Sequence, residues 1–236
     1  MFLSRFLDRV KSKELSNIFI QLFLIIVGVL AAFAVENYRQ SILEKKTEKE
    51  YLIAFRNAVE ADTMMLNQDI QRCFQKKRAA KIFLELIENE RALDSNEFEG
   101  LIEAVMMNIA PFYYTAIYED LKASGRLQII SNEALRNAII EYYITIEHLR
   151  EVQDRMSIEI SYHPAFTEVL TFSEYALEGE LNQHAIVSRL RAKEESRRYL
   201  LRLQKGAFTF YGSLLFNGLP KSQNLLDDIN QELESR

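Results

Sequence analysis

The sequence predicts an all-α protein in which an N-terminal transmembrane helix is followed by a long-helix bundle domain. Three observations lead to this prediction. The 236 residues include only 7 glycines and 3 prolines, one uncharged apolar run lies near the N-terminus, and the apolar residues beyond it recur at helical spacing. No stretch of useful length shows the alternating pattern that is typical of a β-strand.

The composition is that of a folded chain, with 48% hydrophobic and 27% charged residues. A single cysteine, Cys73, excludes an intramolecular disulfide and therefore a small disulfide-stabilised scaffold. The formal net charge is −5, and the acidic excess lies beyond residue 49, which disfavours binding to polyanions. We expect no nucleic-acid partner.

Residues 18–35 form the uncharged run, "IFIQLFLIIVGVLAAFAV". As a helix this run spans about 27 Å, close to the thickness of a bilayer core. Ala32-Phe33-Ala34 also has the small-x-small form of a signal-peptide cleavage site. The run is longer than a usual signal core and reaches that triplet without a polar stretch, so we expect an uncleaved transmembrane helix over residues 15–36 that contacts membrane lipid.

The segment before this helix, residues 1–14, carries Phe2, Phe6 and Val10 at helical spacing between charges, which predicts an amphipathic segment on the membrane surface. Lys and Arg are equally frequent on the two flanks, so the positive-inside rule gives no orientation. The free N-terminal amine favours an N-terminus inside. We expect a single-pass protein of the bacterial inner (cytoplasmic) membrane with a periplasmic C-terminal domain.

Two small residues of the span, Gly28 and Ala32, are four apart and would let a second membrane helix approach closely. Small residues are also common in membrane helices without any such contact. The sequence predicts self-association that is confined to the span and the first heptads after it, because charged residues interrupt the pattern further on.

Residues 37–236 are predicted to form a helical bundle domain that begins with a long helix. No glycine or proline occurs from residue 29 to residue 99, and one row of a seven-residue repeat is apolar: Leu52, Val59, Leu66, Cys73, Ala80 and Ile87. Asp62, Asp69 and Lys76 occupy the companion heptad row. This mixture argues against a uniform two-stranded coiled coil and favours packing within the chain's own bundle.

Six further helices follow in the prediction. Asp94 and Glu97 have the spacing of a capping box, Thr115 is placed to cap the next helix, and Pro164 and Pro220 interrupt later ones. The predicted bounds are 94–108, 116–124, 132 to the His163–Pro164 break, a shorter helix to 177, 182–216, and a last helix after Pro220.

The stretch "LKASGRLQII", residues 121–130, breaks the helical pattern. Gly125 follows a helix end, where a residue with positive φ is favoured and glycine carries no penalty. Leu127 and the isoleucines after it then point to a buried connection. We interpret Ser124, Gly125 and Leu127 as a structural corner that reverses the chain, with Asn132 or Ser131 capping the next helix.

Three short motifs resemble a family of uncharacterised bacterial single-pass membrane proteins with a domain of unknown function. They are Glu36-Asn37-Tyr38-Arg39 after the span, the Ser124-Gly125-x-Leu127 corner, and Tyr142-Tyr143. The resemblance covers about the first 145 residues. It implies the topology and a helical body, and it implies no activity and no catalytic residue.

No motif for chemistry is present in the sequence. The three histidines, His148, His163 and His184, are scattered, and no nucleophile, phosphate-binding or dinucleotide motif occurs. Cys73 lies in the apolar row and is interpreted as a buried structural thiol. Two groups of basic residues, around Lys76 and around Arg197, are interpreted as salt-bridged helix surface. We predict no enzyme, no metal site and no cofactor.

Aromatic residues lie close to the corner. Tyr113, Tyr114, Tyr118, Tyr142 and Tyr143 fit either a core or a small-molecule pocket, and the sequence leaves both open. The functional prediction is a non-enzymatic, single-pass membrane-anchored helical protein that binds a protein partner, scaffolds a membrane complex or forms a homo-oligomer. The alternative is an extracytoplasmic sensor that binds a small ligand and signals through a partner.

Overall fold

The computed structural model describes residues 2–89, 91–107, 109, 112–161 and 182–235, with the backbone alone for 2–16, 18 and 156–161. Every regular element in those ranges is a helix, so the predicted all-α class is confirmed. The predicted His163–Pro164 break and the short helix to residue 177 lie outside the described residues.

The chain divides into two compact units, Met1–Glu50 and Tyr51–Arg236. The N-terminal unit is the first part of helix α1 (Phe2–Glu88), and its described side chains from residue 19 to residue 46 are all exposed. By length and composition this helix is able to cross a membrane. Residues 37–50, which the sequence assigned to the bundle domain, group with the N-terminal unit.

Helix α1 contributes the predicted apolar row to the helical domain. Leu52, Val59, Leu66, Cys73 and Ala80 are completely buried. The helix ends at Glu88, where Arg191 donates from Nε to the carbonyl of Ile87 (2.9 Å) and from Nη2 to that of Leu86 (3.3 Å). This cation satisfies carbonyls that a helix end leaves without a partner.

Two short helices follow, α2 (Ser95–Met106) and α3 (Ala116–Ala123). Asp94 caps α2 by accepting from the Asn96 amide (2.8 Å). Thr115 precedes α3 as predicted, but its side chain makes no capping hydrogen bond. The sequence placed the right residue at the boundary and assigned it the wrong contact.

The chain then turns through a 3-10 turn (Leu127–Ile129) into α4 (Glu133–Ser161). Asn132 caps α4, because its Oδ1 accepts from the Leu135 amide (3.2 Å). Helix α4 packs against the C-terminal helices of the same domain.

The single helix predicted over 182–216 is wrong, since the chain forms α5 (Gln183–Ala192) and α6 (Glu194–Ser213) with an extended Lys193 between them. The apolar sets explain the break. Ile186 and Leu190 of α5 would point to a different side of one straight helix from Leu200 and Leu203 of α6, at about 100° per residue. The bend at Lys193 lets both sets reach one core.

A π turn (Leu214–Gly218) joins α6 to α7 (Leu219–Glu234) without a gap. The Leu219 amide donates to the carbonyl of Leu214, five residues back. Pro220 lacks an N–H and would clash with the carbonyl four residues before it in a regular helix, so the wider turn accommodates this proline. The proline that was predicted to separate two helices lies in the first turn of α7.

The described residues of the helical domain (the unit Tyr51–Arg236) form two hydrophobic cores. The larger core combines α1 from Leu52 to Cys73 with α4, α7 and the corner. The smaller core combines α1 from Ala79 to Ile87 with α2, α5 and α6. Lys76 lies on α1 between the two sets of buried residues.

Candidate functional site

Three charged residues of α1 are buried in the helical domain. Asp62 is 0% exposed, Asp69 is 1% and Lys76 is 7%. They follow one another at seven-residue intervals, so they share one face of the helix. Charged groups in a protein interior require hydrogen-bonding partners, and the partners identify the site.

Asp62 and Lys76 each bind the main chain of the segment between α2 and α3. We call this segment the aromatic loop, and the structure describes its residues 107, 109 and 112–115. Lys76 donates from Nζ to the carbonyl of Met107 (2.6 Å), and Gln153 donates from Nε2 to that of Ile109 (2.6 Å). Arg150 donates from Nη2 to the carbonyl of Tyr113 (3.0 Å). Side chains of α1 and α4 therefore bind main-chain carbonyls of Met107, Ile109 and Tyr113 in this loop.

Both main-chain groups of Tyr114, its amide and its carbonyl, form hydrogen bonds with side chains. Its amide donates to Oδ1 of Asp62 (2.8 Å), and its carbonyl accepts from the Tyr143 hydroxyl (3.2 Å). The second oxygen of Asp62 accepts from the hydroxyl of Tyr142 (2.9 Å). Asp62 thus uses both carboxylate oxygens, one on the loop and one on α4.

Burial governs the electrostatics of these groups. It raises the pKa of Asp62, against the opposing effects of the Tyr114 amide, the Tyr142 hydroxyl and the Arg150 charge. Burial likewise raises the pKa of Asp69, against Arg72. It lowers the pKa of Lys76 to about 8. The site therefore combines carboxyls that protonate more easily than usual with a lysine that deprotonates more easily than usual.

Residues 112–114 of the aromatic loop alternate between exposed and buried side chains. Tyr113 is 1% exposed, whereas Phe112 is 68% and Tyr114 is 45% exposed. The rings of Phe112 and Tyr114 meet edge to face with centroids 5.8 Å apart. A segment fixed through its main chain therefore presents a pair of aromatic rings on the outside.

Two buried polar atoms of the described structure have no hydrogen-bond partner near this loop, Oδ2 of Asp69 and the hydroxyl of Tyr113. The negative charge of Asp69 contributes, after burial, to a raised pKa of Tyr113. Asp69 uses its other oxygen to accept from Nη1 of Arg72 (3.1 Å).

The tyrosines that the sequence proposed for a core or a pocket come together in space, with four inside and one outside. Tyr118 stacks on Tyr143 at 4.5 Å between centroids, and Tyr142 meets Tyr143 edge to face at 5.1 Å. These rings and Tyr113 belong to the larger core. Tyr114 lies at the surface beside Phe112.

Two clefts of the described structure lie elsewhere. One of about 340 Å³ is bordered by Asn132, Asp228 and Glu232. The other, of about 300 Å³, is bordered by Arg91, Gln183 and His184. None of the five tyrosines lines either cleft.

The corner forms the hydrogen bonds of a Schellman motif. Gly125 has a φ of 69°, the left-handed conformation expected from the sequence. The Arg126 amide donates to the carbonyl of Leu121 (2.9 Å), and the Gly125 amide donates to that of Lys122 (3.2 Å). Leu127 packs partly buried against the larger core, and Ser124 donates from its hydroxyl to the Asp120 carbonyl (2.7 Å).

The other predicted residues lie apart from this site. Gly28 and Ala32 are exposed on α1 in the N-terminal unit. Cys73 is completely buried, and burial raises the pKa of its thiol to about 12, which leaves little thiolate at neutral pH. In the described part of the chain no three potential metal ligands are grouped together.

We call the side-chain hydrogen bonds to the main chain of the aromatic loop the clamp. Sequence reasoning did not predict it. It assigned Lys76 to a helix surface, and the structure corrects this, because Lys76 is buried against the loop. The available signal was the period of seven shared by Asp62, Asp69 and Lys76 within an apolar helix. That period indicates buried charges, but it does not identify partners 31 to 52 residues away.

The fold and the loop define an all-helical protein with an N-terminal helix that is long and apolar enough to cross a membrane. The chain matches no model of a protein family, no curated protein and no solved structure. The resemblance to the family of bacterial single-pass membrane proteins stays a prediction.

Proposed function

We propose that the protein is a non-enzymatic, single-pass membrane protein whose helical domain binds a protein partner through Phe112 and Tyr114. The observation that carries this proposal is the clamped aromatic loop. Aromatic residues are enriched at protein–protein interfaces, and tyrosine is among the residues that most often carry the binding energy.

The clamp supports binding because it removes the cost of ordering the loop. A side chain or segment that is flexible before binding must be ordered on binding, and this entropy cost lowers the affinity. Here the hydrogen bonds from Asp62, Tyr143 and Arg150 already hold the main chain of residues 113 and 114. The two rings also support each other's orientation.

The burial of charge supports the same conclusion. Desolvating a carboxylate and an ammonium is unfavourable. Apolar residues of similar volume in place of buried charges often give a protein equal or greater stability. Asp62 and Lys76 are nevertheless buried, and each binds the main chain of the aromatic loop. Their arrangement serves the conformation of the loop more than the packing of the core.

The sensor alternative has less support. A small ligand beside the tyrosines would need space, and Tyr113, Tyr118, Tyr142 and Tyr143 are buried against one another and their neighbours. The clefts described above lie elsewhere.

Anchorage in the bacterial inner membrane, with the helical domain in the periplasm, completes the proposal. The exposed, uncharged stretch of α1 from residue 19 to residue 35 supports the anchorage. The side of the membrane rests on the tendency of the first membrane helix to set the orientation.

Site-specific photo-crosslinking in native membranes tests the partner-binding surface. A benzophenone amino acid would replace Phe112, and matched controls would carry it at Ile144 (56% exposed) and Phe216 (75% exposed). We expect one discrete protein adduct from position 112 and none of that mass from the controls. The same adduct at all three positions, or none at 112, would contradict the proposal.

A second variant tests the clamp itself. Tyr143→Phe removes the hydroxyl that binds the Tyr114 carbonyl and keeps the ring that stacks on Tyr118. We expect this variant to lower the yield of the adduct from position 112 while the protein remains folded by circular dichroism.

A further inference from the structure

The helix of the N-terminal unit carries an apolar face that repeats every seven residues and continues past the uncharged run. Its first row consists of Gln21, Gly28, Val35 and Ile42. The row three residues later consists of Leu24, Ala31 and Tyr38. Rows at positions a and d of a heptad form one narrow stripe, which we call the heptad seam. On a straight helix the stripe drifts by about 20° per heptad, which favours a left-handed supercoil.

Within the described part of the chain the heptad seam is uncovered. Val35 is 70%, Tyr38 is 71% and Ile42 is 51% exposed. A Cβ atom added at Gly28 would meet no atom within 4 Å. Lipid covers an apolar face inside a bilayer, but Tyr38 and Ile42 follow Glu36, the first charge after the run. An apolar side chain left in water there forgoes the stabilisation that burial would give.

We propose that the heptad seam binds the heptad seam of a second copy of this chain in a parallel, two-fold symmetric pair. This inference rests on the membrane anchorage proposed above and goes beyond the aromatic loop. The heptad repeat of the seam continues without a shift from the apolar run to the residues beyond Glu36. Its occupant must therefore be a helix that leaves the bilayer at the same point with apolar residues in the same register, and a second copy meets that condition by symmetry.

The residues of the seam suit a partner of identical sequence. Gly28 opposite Gly28 lets the two backbones approach closely. Gln21 opposite Gln21 allows the two amides to exchange hydrogen bonds where water is excluded. Val35 and Ile42 are β-branched residues at position a, which favours two-stranded parallel pairing.

The charges define where the pair ends. The two rows continue with Lys45 and Lys49, and like charges that face each other across a symmetric pair repel. A right-handed crossing through Gly28 and Ala32 would continue to Glu36 and bring two carboxylates together. The left-handed seam from Gln21 to Ile42 avoids both conflicts.

Oxidative cysteine crosslinking of the full-length protein in native membranes tests the pair. In a Cys73→Ala background, single cysteines replace Val35 and Ile42 on the seam, and Asn37 and Glu44 on the opposite face serve as controls. We expect reducible dimers from positions 35 and 42 at several times the yield from 37 and 44. Equal yields at all four positions, no dimer at any of them, or dimers at 35 without 42 would overturn the proposal.

A variant at the closest point separates the pair from the anchor. Gly28→Ile should reduce crosslinking at 35 and 42 several-fold, with Gly28→Ala nearer to wild type, while both variants stay in the carbonate-washed membrane pellet. Unchanged crosslinking in Gly28→Ile would overturn the pairing and leave the anchorage intact. Release of the parent protein into the soluble fraction would overturn the anchorage and the pairing together.

Discussion

The buried charges of Asp62 and Lys76 form hydrogen bonds with main-chain groups of the aromatic loop. A carbonyl or amide left unpaired in a core costs about 1–3 kcal/mol. Asp62 binds an amide at the exposed end of the aromatic loop, and Lys76 binds a carbonyl at its beginning. Each charge is itself unfavourable when buried, so pH shifts the balance between the two effects.

Lys76 gives a pH dependence of definite sign. Burial lowers its pKa in the folded protein to about 8, from an ordinary value of 10.5. Between these values the unfolded chain binds a proton that the folded chain does not, so the free energy of unfolding rises with pH across this window. Below pH 8 the buried charge of Lys76 lowers the free energy of unfolding by its full amount. As the pH rises toward 10.5 this loss is recovered, so the free energy of unfolding should rise relative to that of Lys76→Met by no more than about 3 kcal/mol. Urea unfolding in detergent at several pH values measures it.

Lys81→Met is the matched control for Lys76→Met. Lys81 is exposed and pairs with Glu85 at 3.6 Å on the same helix, so its replacement removes a lysine without removing a buried charge. If Lys76→Met changes the slope of stability against pH no more than Lys81→Met does, the burial of Lys76 does not produce the predicted dependence.

Gly125 has a conformational requirement that no contact explains. A Cβ atom there would meet nothing within 4 Å, yet φ is +69°. Gly125→Val should therefore destabilise the protein by about 1–2 kcal/mol through backbone strain alone. Gly125→Asn should lose less, because asparagine tolerates the left-handed region. Equal unfolding midpoints for wild type and the valine variant would contradict this account.

The helices show where periodicity in the sequence suffices and where it fails. The row from Leu52 to Ala80 is buried as predicted, because a long run without glycine or proline keeps one face for many turns. The break at Lys193 has no glycine or proline to mark it. It arises because the α5 and α6 apolar sets belong to different sides of one helix, and only the tertiary fold shows that both face one core.

The π turn brings the backbone of Gly218 close to two other helices. A Cβ atom at Gly218 would lie 2.9 Å from Cδ1 of Leu149 and 2.9 Å from Cδ2 of Leu66. Gly218→Ala should overpack this point and destabilise the protein by about 1–3 kcal/mol. Leu149→Ala removes one of the two contacts but leaves a cavity of its own, so the double variant should lose less stability than the sum of the two single variants.

Gly212→Ala is the control for the π turn. No atom lies within 4 Å of a Cβ there, and alanine is favoured over glycine in a helix by about 1 kcal/mol. The control should be neutral or stabilising. Thermal unfolding that fails to separate Gly212→Ala from Gly218→Ala would show that the core around Gly218 adapts without cost.

At the scale of the whole molecule, the sequence predicts the class of the protein and only part of its candidate site. The apolar run and the helical periodicity are local, so they could be read directly. The pairing of Asp62 with Tyr114 and Tyr142 joins residues 52 and 80 positions apart, and local spacing carries no information about it. The sequence proposed the five tyrosines as one group, and only the fold separates buried Tyr113 from exposed Tyr114.

The orientation of the whole chain gives the next prediction. A C-terminal fusion to alkaline phosphatase, which is active only outside the cytoplasm, should show activity, and a fusion to a reporter that works only in the cytoplasm should not. Fusions at residue 16, before the apolar run, should give the reverse pattern. Cytoplasmic activity at the C-terminus would place the helical domain inside the cell.

The two cores depend on helices that follow α1 late in the chain, and this affects how the protein is made. Leu52 is synthesised long before its core neighbour Ile229. Arg197, which donates a hydrogen bond to Glu88, is synthesised 109 residues after it. At about 5–20 residues per second, roughly ten to forty seconds pass before the larger core closes. During that time the apolar face of α1 lacks the late helices that cover it in the folded domain, so this face favours aggregation until they are made.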